Sequence, residues 1–176
     1  MAIVIRELPA SDIKRIRDID RSERIDQQYR VRNGHLEIIN VEIDAAHWGT
    51  PGSEHPVEHY IDEWHPLLDD GVLFGAMDGE RLVGFVIYRP RIADGLANLA
   101  VLPVSREHRR SGLGRRLTEE VVQRARLDGA RRLYVSATPT RGTVDFYTRQ
   151  GFEVAAMPDP HMFDLEPDDI HLGMAL

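Results

Sequence analysis

The stretch Arg109-Arg110-Ser111-Gly112-Leu113-Gly114-Arg115-Arg116-Leu117 decides how this chain is interpreted. It follows an apolar run over 96–104 that is typical of a strand, and it opens a helical pattern with an apolar residue at every fourth position. Two glycines at a helix entrance let backbone N–H groups approach an oxyanion, where the helix dipole adds roughly half a positive charge. Three arginines there provide donors suited to phosphate. We call residues 109–115 the cradle and predict that it binds a pyrophosphate.

Two common phosphate-binding motifs do not fit the cradle. A P-loop requires a Gly-Lys-Ser/Thr sequence, and the only lysine of this chain is Lys14. A dinucleotide fingerprint requires a third small residue where Leu117 stands. The pattern that remains is Arg/Gln-x-x-Gly-x-Gly/Ala.

A second informative segment follows the predicted helix. The run 133–137 is short, apolar and β-branched, and it predicts a strand that Pro139 ends. A helical segment with Phe146-Tyr147 comes next, and it is followed by Gly151-Phe152. Gly151 is predicted to lie just past the helix C-terminus, where a positive φ is needed.

Together the two segments resemble the GNAT superfamily of N-acetyltransferases, and the resemblance covers 71–154 well and the N-terminal third poorly. It implies a single α/β domain over 1–176, with acetyl-CoA or CoA as co-substrate and no metal. The implied sheet is mixed, mostly antiparallel and splayed between its fourth and fifth strands, with about four flanking helices. The cofactor-binding residues that the resemblance implies are Leu102, Val104, Arg109, Arg110, Ser111, Gly112, Leu113, Gly114, Arg115, Thr140 and Phe146.

The resemblance also implies a reaction, in which a neutral primary amine attacks the acetyl carbon directly. The backbone N–H of Val104 would polarise the thioester carbonyl, although Leu99 and Val101 fit the strand pattern too if three residues are inserted before Arg109. Tyr147 would be the general acid for the leaving thiolate; the alternative is a core aromatic pair with Phe146. At position 140, many relatives carry an asparagine that bonds the pantetheine arm.

The acceptor side is less defined by the sequence. Five residues are candidate general bases, although each taken singly is more typical of a solvated surface group: Glu54, His55, Glu58, His59 and Asp94. Trp48, Glu54 and His55 are candidate acceptor-binding residues, and His47 could line the same pocket, while Trp48 could instead anchor its loop. His55-Pro56-Val57-Glu58-His59 also matches a zinc-protease pattern, but Pro56 places His55 outside the helix, so we interpret the match as chance and predict no metal.

Composition narrows the remaining possibilities. The chain has 176 residues, which suits one domain, and no cysteine, which excludes disulfides and thiolate catalysis. The early charged residues argue against a signal peptide or membrane span, so a cytoplasmic location is expected. The net charge is −7, but 106–132 holds nine arginines against four acids. A local basic patch in an acidic protein suits CoA better than nucleic acid.

Other predictions concern the rest of the chain. Asn33-Gly34 predicts a hairpin over 29–43, where the resemblance implies only helices. Helices are predicted to end near Asp20 and to span 56–69, and a proline-rich loop is predicted over 158–167. A homodimer formed through an edge strand or the hairpin is possible. The alternatives left open are a different acyl-CoA donor and a CoA-binding sensor or assembly module without turnover.

Overall fold

The protein is described by a computed structural model that covers residues 2–48, 50 and 53–176. The strands are β1 (Val4–Leu8), β2 (Glu23–Arg32), β3 (His35–Ala45), β4 (Val72–Asp78), β5 (Arg81–Ala93), β6 (Leu96–Val101), β7 (Arg132–Ala137), β8 (Glu153–Val154) and β9 (Ile170–Ala175). The α-helices are α1 (Val57–Trp64), α2 (Leu113–Leu127), α3 (Arg141–Thr148) and α4 (Pro160–Leu165). Short 3-10 helices cover Ala10–Asp18, His65–Leu68 and Arg106–His108.

Seven strands form one sheet in the order β1-β4-β5-β6-β7-β9-β8. Every neighbouring pair in it is antiparallel except β6 and β7, which run parallel. The mixed, mostly antiparallel sheet and its four α-helices confirm the predicted fold class.

The sheet opens between β6 and β7, its fourth and fifth strands. Their pairing extends only from Leu96 opposite Arg132 to Asn98 opposite Tyr134. Asn98 is buried, and its side-chain amide donates to the Tyr134 carbonyl at 3.2 Å where the pairing stops. This bond satisfies a carbonyl that the departing strand would otherwise leave without a partner. We call the gap beyond Asn98 the fork.

The two faces of the sheet pack against different helices. On one face, the predicted apolar row of α2 is buried against residues such as Val83 and Val86. On the other face, the first 3-10 helix and α1 cover Phe85 and Ile87. Strand alternation separates Val86 from Phe85 and Ile87, and the register shift of β5 between Leu82 and Gly84 brings Val83 to the same face as Val86.

The predicted hairpin forms and is longer than expected. Strands β2 and β3 pair from Glu23 with Ala45 to Arg32 with His35, outside the large sheet. Asn33 and Gly34 both have positive φ, 51° and 77°, as the two-residue turn requires.

The first two predicted helices form close to their predicted ends, and one loop prediction was wrong. The first is a 3-10 helix that ends at Asp18, and its buried Ile13 and Ile16 are three residues apart, the period of a 3-10 helix. The second ends its α-helical part at Trp64 and continues as 3-10 to Leu68. The predicted loop over 158–167 contains α4, because Asp159 accepts the Met162 N–H and Pro160 suits a first helical turn. Among the described residues, no helix has the length and apolar character needed to cross a membrane.

Candidate functional site

The cradle places backbone N–H groups at the start of α2 that no acceptor among the described residues bonds. Gly112 is the N-cap with a φ of 83°, and its carbonyl accepts the first helical bond, from Arg116 at 3.1 Å. The N–H groups of Leu113, Gly114 and Arg115 therefore have no partner within the helix. A Cβ added at Gly112 would meet nothing within 4 Å. The open turn and the helix N-terminus together suit an anion.

Gly114 brings the two sides of the fork close together. A Cβ at this position would lie 3.1 Å from two ring atoms of Phe146 and 3.8 Å from Leu102 Cδ2. Because the ring contact is tighter than normal packing allows, glycine permits α2 to approach α3 here. Three of the predicted cofactor-binding residues thus lie in contact at the mouth of the fork.

Val104 presents its N–H group toward the fork. It lies opposite Gly84 on β5, and the flanking bonds run from Phe85 N–H to Pro103 O at 3.2 Å and from Ser105 N–H to Val83 O at 2.9 Å. In this kind of antiparallel pair, the N–H and C=O of the central residue point away from the partner strand. No acceptor in the described part of the chain bonds the N–H of Val104, nor that of Leu102.

The arginines of the cradle have different surroundings. Arg109 is mostly buried, and all three of its guanidinium nitrogens have partners within the protein. Arg115 pairs with Glu119 at 3.5 Å and is largely exposed. Arg110 is exposed, has a φ of 62°, and has no hydrogen-bond or ion-pair partner among the described residues. The geometry therefore favours Arg110 as a phosphate donor and does not support the predicted phosphate contact of the Arg109 side chain.

Two hydroxyl groups predicted to lie at the cofactor are used within the protein. Ser111 Oγ donates to the His108 carbonyl at 2.6 Å and thereby closes the turn. Thr140 is the N-cap of α3: its Oγ1 accepts the Thr143 N–H at 3.2 Å and donates to Thr143 Oγ1 at 2.8 Å. Both side chains therefore stabilise the backbone around the fork and the cradle.

Tyr147 lies in an aromatic cluster on α3. Only 4% of its surface is exposed, and its ring contacts Phe146 and Phe152 edge-on, with centroids 4.9 and 5.4 Å away. Within the described chain no group bonds its hydroxyl, and burial raises the pKa of Tyr147 above its ordinary value of 10.0. The phenol is therefore protonated at neutral pH and able to donate. Gly151, with a φ of 94°, ends the helix as predicted.

Three of the acceptor-side candidates lie around the ring of Tyr60, whose centroid is 4.8 Å from that of Trp48, 6.1 Å from His55 and 5.5 Å from His59. Trp48 is buried and its indole donates to the Ile19 carbonyl at 2.7 Å, which is the anchoring alternative. His47 lies beside it, with a buried Nδ1 that is 3.7 Å from an Asp20 carboxylate oxygen. The candidate bases are exposed and contact charged or aromatic neighbours. Glu58 pairs with Arg17, and Asp94 pairs with Arg131. Glu54 lies near His55, His55 stacks near His59, and His59 lies near Glu63.

The sequence analysis missed a polar network on β7. His171 is buried; its Nε2 lies 3.0 Å from the Glu166 carbonyl and its Nδ1 lies 2.8 Å from Tyr134 Oη. Because a carbonyl only accepts, Nε2 carries the proton and Nδ1 accepts from Tyr134. Ser136 belongs to the same network, because its Oγ lies 3.3 Å from His171 Nδ1. The sequence signal for this network was strand alternation, which places Tyr134 and Ser136 together on the face opposite α2. The described residues contain no group of three or more His, Asp or Glu side chains that could hold a metal ion.

Comparison with known proteins identifies the family. The sequence model of the acetyltransferase (GNAT) family matches residues 38–152, more than half of the chain. The chain belongs to the GNAT acetyltransferase family. No curated protein matches it in sequence.

Solved structures share the GNAT fold with this chain. A nourseothricin acetyltransferase is 22% identical, with 99% of both chains covered and a TM-score of 0.73. A proposed streptothricin acetyltransferase from Bacillus anthracis strain Ames, in complex with acetyl coenzyme A, is 18% identical, with 100% of this chain and 99% of the other covered and a TM-score of 0.72. The PaiA N-acetyltransferase of Thermoplasma acidophilum, in complex with coenzyme A, is 19% identical over 100% of both chains, with a TM-score of 0.65.

Proposed function

We propose that this protein transfers an acetyl group from acetyl-CoA to a primary amine of a small molecule or a protein, by direct attack in a ternary complex. The observation that carries the proposal is the fork. Just past the end of β6, Leu102 and Val104 carry N–H groups that no acceptor in the described chain bonds, and a short 3-10 helix then leads into the cradle. The helix that follows β7 carries the protonated Tyr147.

The residues at the fork fit acetyl-CoA. The N–H groups at the start of α2 and the Arg110 side chain would hold the pyrophosphate. Leu102, Gly114 and Phe146 would line the pantetheine arm. When bound, acetyl-CoA supplies an activated thioester carbonyl and a thiol leaving group whose pKa is near 8.5.

Two groups of the chain would then assist the transfer. The Val104 N–H donates to the carbonyl oxygen, where negative charge develops, and Leu102 offers a second donor on the same edge. Tyr147 donates its phenolic proton to the leaving sulfur. The acceptor amine must lose a proton, and the exposed candidate bases leave the base unassigned.

Ligand-induced stabilisation tests the proposal first. A ligand present at about 100 times its dissociation constant adds about 2.7 kcal/mol to the free energy of unfolding, so thermal melts should rise with acetyl-CoA and CoA but not with ATP or NAD. Succinyl-CoA tests the choice of acyl group. A rise followed by thiol release with amines supports the proposal; nourseothricin and streptothricin, named in the compared structures, are the first acceptors to screen.

A matched pair of variants tests the cradle in the same assay. Gly112→Asp and Gly112→Asn have nearly the same shape, and both residues tolerate a positive φ better than most. The aspartate places a negative charge where phosphate belongs, so it should abolish the CoA-induced rise, while the asparagine should keep part of it. Equal behaviour of the two variants would contradict an anion site at Gly112.

A further inference from the structure

Arg109 stands first in the cradle motif, yet it binds the protein rather than solvent. Its Nε donates to the Val104 carbonyl at 3.0 Å and its Nη2 to the Arg21 carbonyl at 3.0 Å. Its Nη1 lies 3.4 Å from the Ser22 carbonyl and 3.3 Å from the Glu23 carboxylate. One planar side chain thus joins the end of β6 to the start of β2.

Strand β2 is also fixed on the other side of the fork. The Tyr29 N–H donates to the Pro139 carbonyl at 2.7 Å, and the Tyr29 hydroxyl donates to Asp145 at 2.8 Å. Arg141 donates to the side chain of Gln27. Strand β2 therefore spans from the cradle side of the fork to α3.

A groove of about 510 Å³ lies along this span. It is lined by the first half of β2 together with Arg110, Thr140 and Arg141. Two of these lining residues, Arg110 and Thr140, were predicted to bind the cofactor. Strand β2 of the hairpin thus forms one side of this groove, next to the proposed cofactor-binding residues. Arg109 fixes the start of that strand.

We propose that Arg109 is a positioning residue that fixes Val104 and ties β2 to the same point. The proposal rests on the proposed function, in which the Val104 N–H polarises the donor carbonyl. The charge-assisted bond from Arg109 holds the Val104 carbonyl in place. Because the carbonyl and the N–H of Val104 flank the same Cα, this bond also restrains the direction in which the Val104 N–H points. The two adjacent arginines have separate roles: Arg110 contributes to CoA affinity and Arg109 to turnover.

Glutamine variants at the two positions separate these roles. Arg109→Gln should leave the CoA dissociation constant within about twofold, while turnover falls by roughly tenfold to a hundredfold, the scale of a small misplacement at a reacting centre. Arg110→Gln should do the reverse, weakening CoA binding with a smaller effect on turnover. A loss of CoA affinity in Arg109→Gln that equals the loss in Arg110→Gln would overturn the proposal.

Infrared spectroscopy gives a readout that a purely structural role would not move. With acetyl-CoA labelled with ¹³C at the carbonyl, the bound carbonyl stretch should lie below its value in solution. Arg109→Lys keeps the charge and is expected to fold, but one ammonium cannot reach all the carbonyls, so the stretch should return toward the solution value. In Arg110→Gln the stretch should stay low.

The outcomes distinguish this proposal from the proposed function. If acetyl-CoA does not bind the unmodified protein, the proposed function fails. If it binds with a lowered carbonyl stretch that Arg109→Lys leaves unchanged, the acetyltransferase proposal stands and the role given to Arg109 is wrong. The melting temperature of each variant shows whether a loss of turnover reflects unfolding.

Discussion

At the scale of single residues, Tyr147 combines burial with a hydroxyl that has no described partner. Among the described residues the buried side-chain atoms without a partner are the Nδ1 atoms of His47 and His108, so the Tyr147 hydroxyl itself reaches solvent although its ring is buried. The aromatic neighbours of Tyr147 would pack equally well against phenylalanine. A hydroxyl that reaches solvent and bonds no described protein group is free to donate to a substrate, as the proposed function requires.

The Tyr147→Phe variant tests this explanation. Acetyl-CoA affinity should be nearly unchanged, and turnover should fall by roughly 10²-fold, the usual scale for a lost general acid. The melting temperature should not drop, because no intramolecular hydrogen bond is lost. Titration calorimetry, thiol release and a thermal melt measure the three quantities. Unaltered turnover, or a marked loss of stability, would assign the hydroxyl a structural role.

At the scale of elements, α3 begins with a threonine cap at the position where the family resemblance predicts an asparagine. Thr140 caps the helix with its hydroxyl, and that hydroxyl is occupied by Thr143. Asparagine is at least as good an N-cap as threonine, whereas alanine costs typically about 1 kcal/mol at this position. An asparagine also carries an amide N–H group that a capping threonine lacks.

Two substitutions at Thr140 separate capping from cofactor binding. Thr140→Asn should keep the free energy of unfolding and bind CoA more tightly, while Thr140→Ala should lose about 1 kcal/mol of stability. Denaturant unfolding and calorimetry with CoA measure the two effects. CoA binding in Thr140→Asn that equals that of the unmodified protein, at unchanged stability, would show that position 140 does not face the pantetheine arm.

The elements that the sequence predicted are those with a local signal. The row from Leu113 to Ala125 has the period of an α-helix, and Gly34 and Gly151 stand where only a positive φ closes the chain. The proline-rich segment shows how a local signal is misread, since Pro160 stands in the first turn of α4 rather than in a loop. The partners of Arg109 could not be predicted, because Arg21 and Glu23 are distant in sequence and meet it only through the fold.

At the scale of the whole molecule, ion pairs neutralise part of the positive charge that the sequence places in one segment. The stretch 106–132 has an excess of arginine, but several of these side chains are paired. Arg124 lies near Glu7 and Asp128, and Arg131 pairs with Asp94 at 2.8 Å. The basic surface at the cradle therefore depends on Arg110 and on the α2 N-terminus more than on the count of arginines.

Outside the basic cradle region, one acidic residue, Asp169, makes the stability of the protein depend on pH. This carboxyl is half-buried near Glu166 and Asp168, and burial followed by these like charges raises its pKa from 3.8 to about 6. Between these values the folded state holds a proton that the unfolded state has released. The free energy of unfolding therefore falls as pH rises through this window, and the full cost is present above about pH 6.

Asp169→Asn removes this cost, so it should raise the melting temperature more at about pH 7.5 than at about pH 4.5. Asp164→Asn makes the same change of charge at an exposed position of α4, and its effect should vary little with pH. Thermal melts of both variants and the unmodified protein at the two pH values measure the difference. If the two substitutions shifted the melting temperature in parallel, net charge rather than burial of Asp169 would account for the pH dependence.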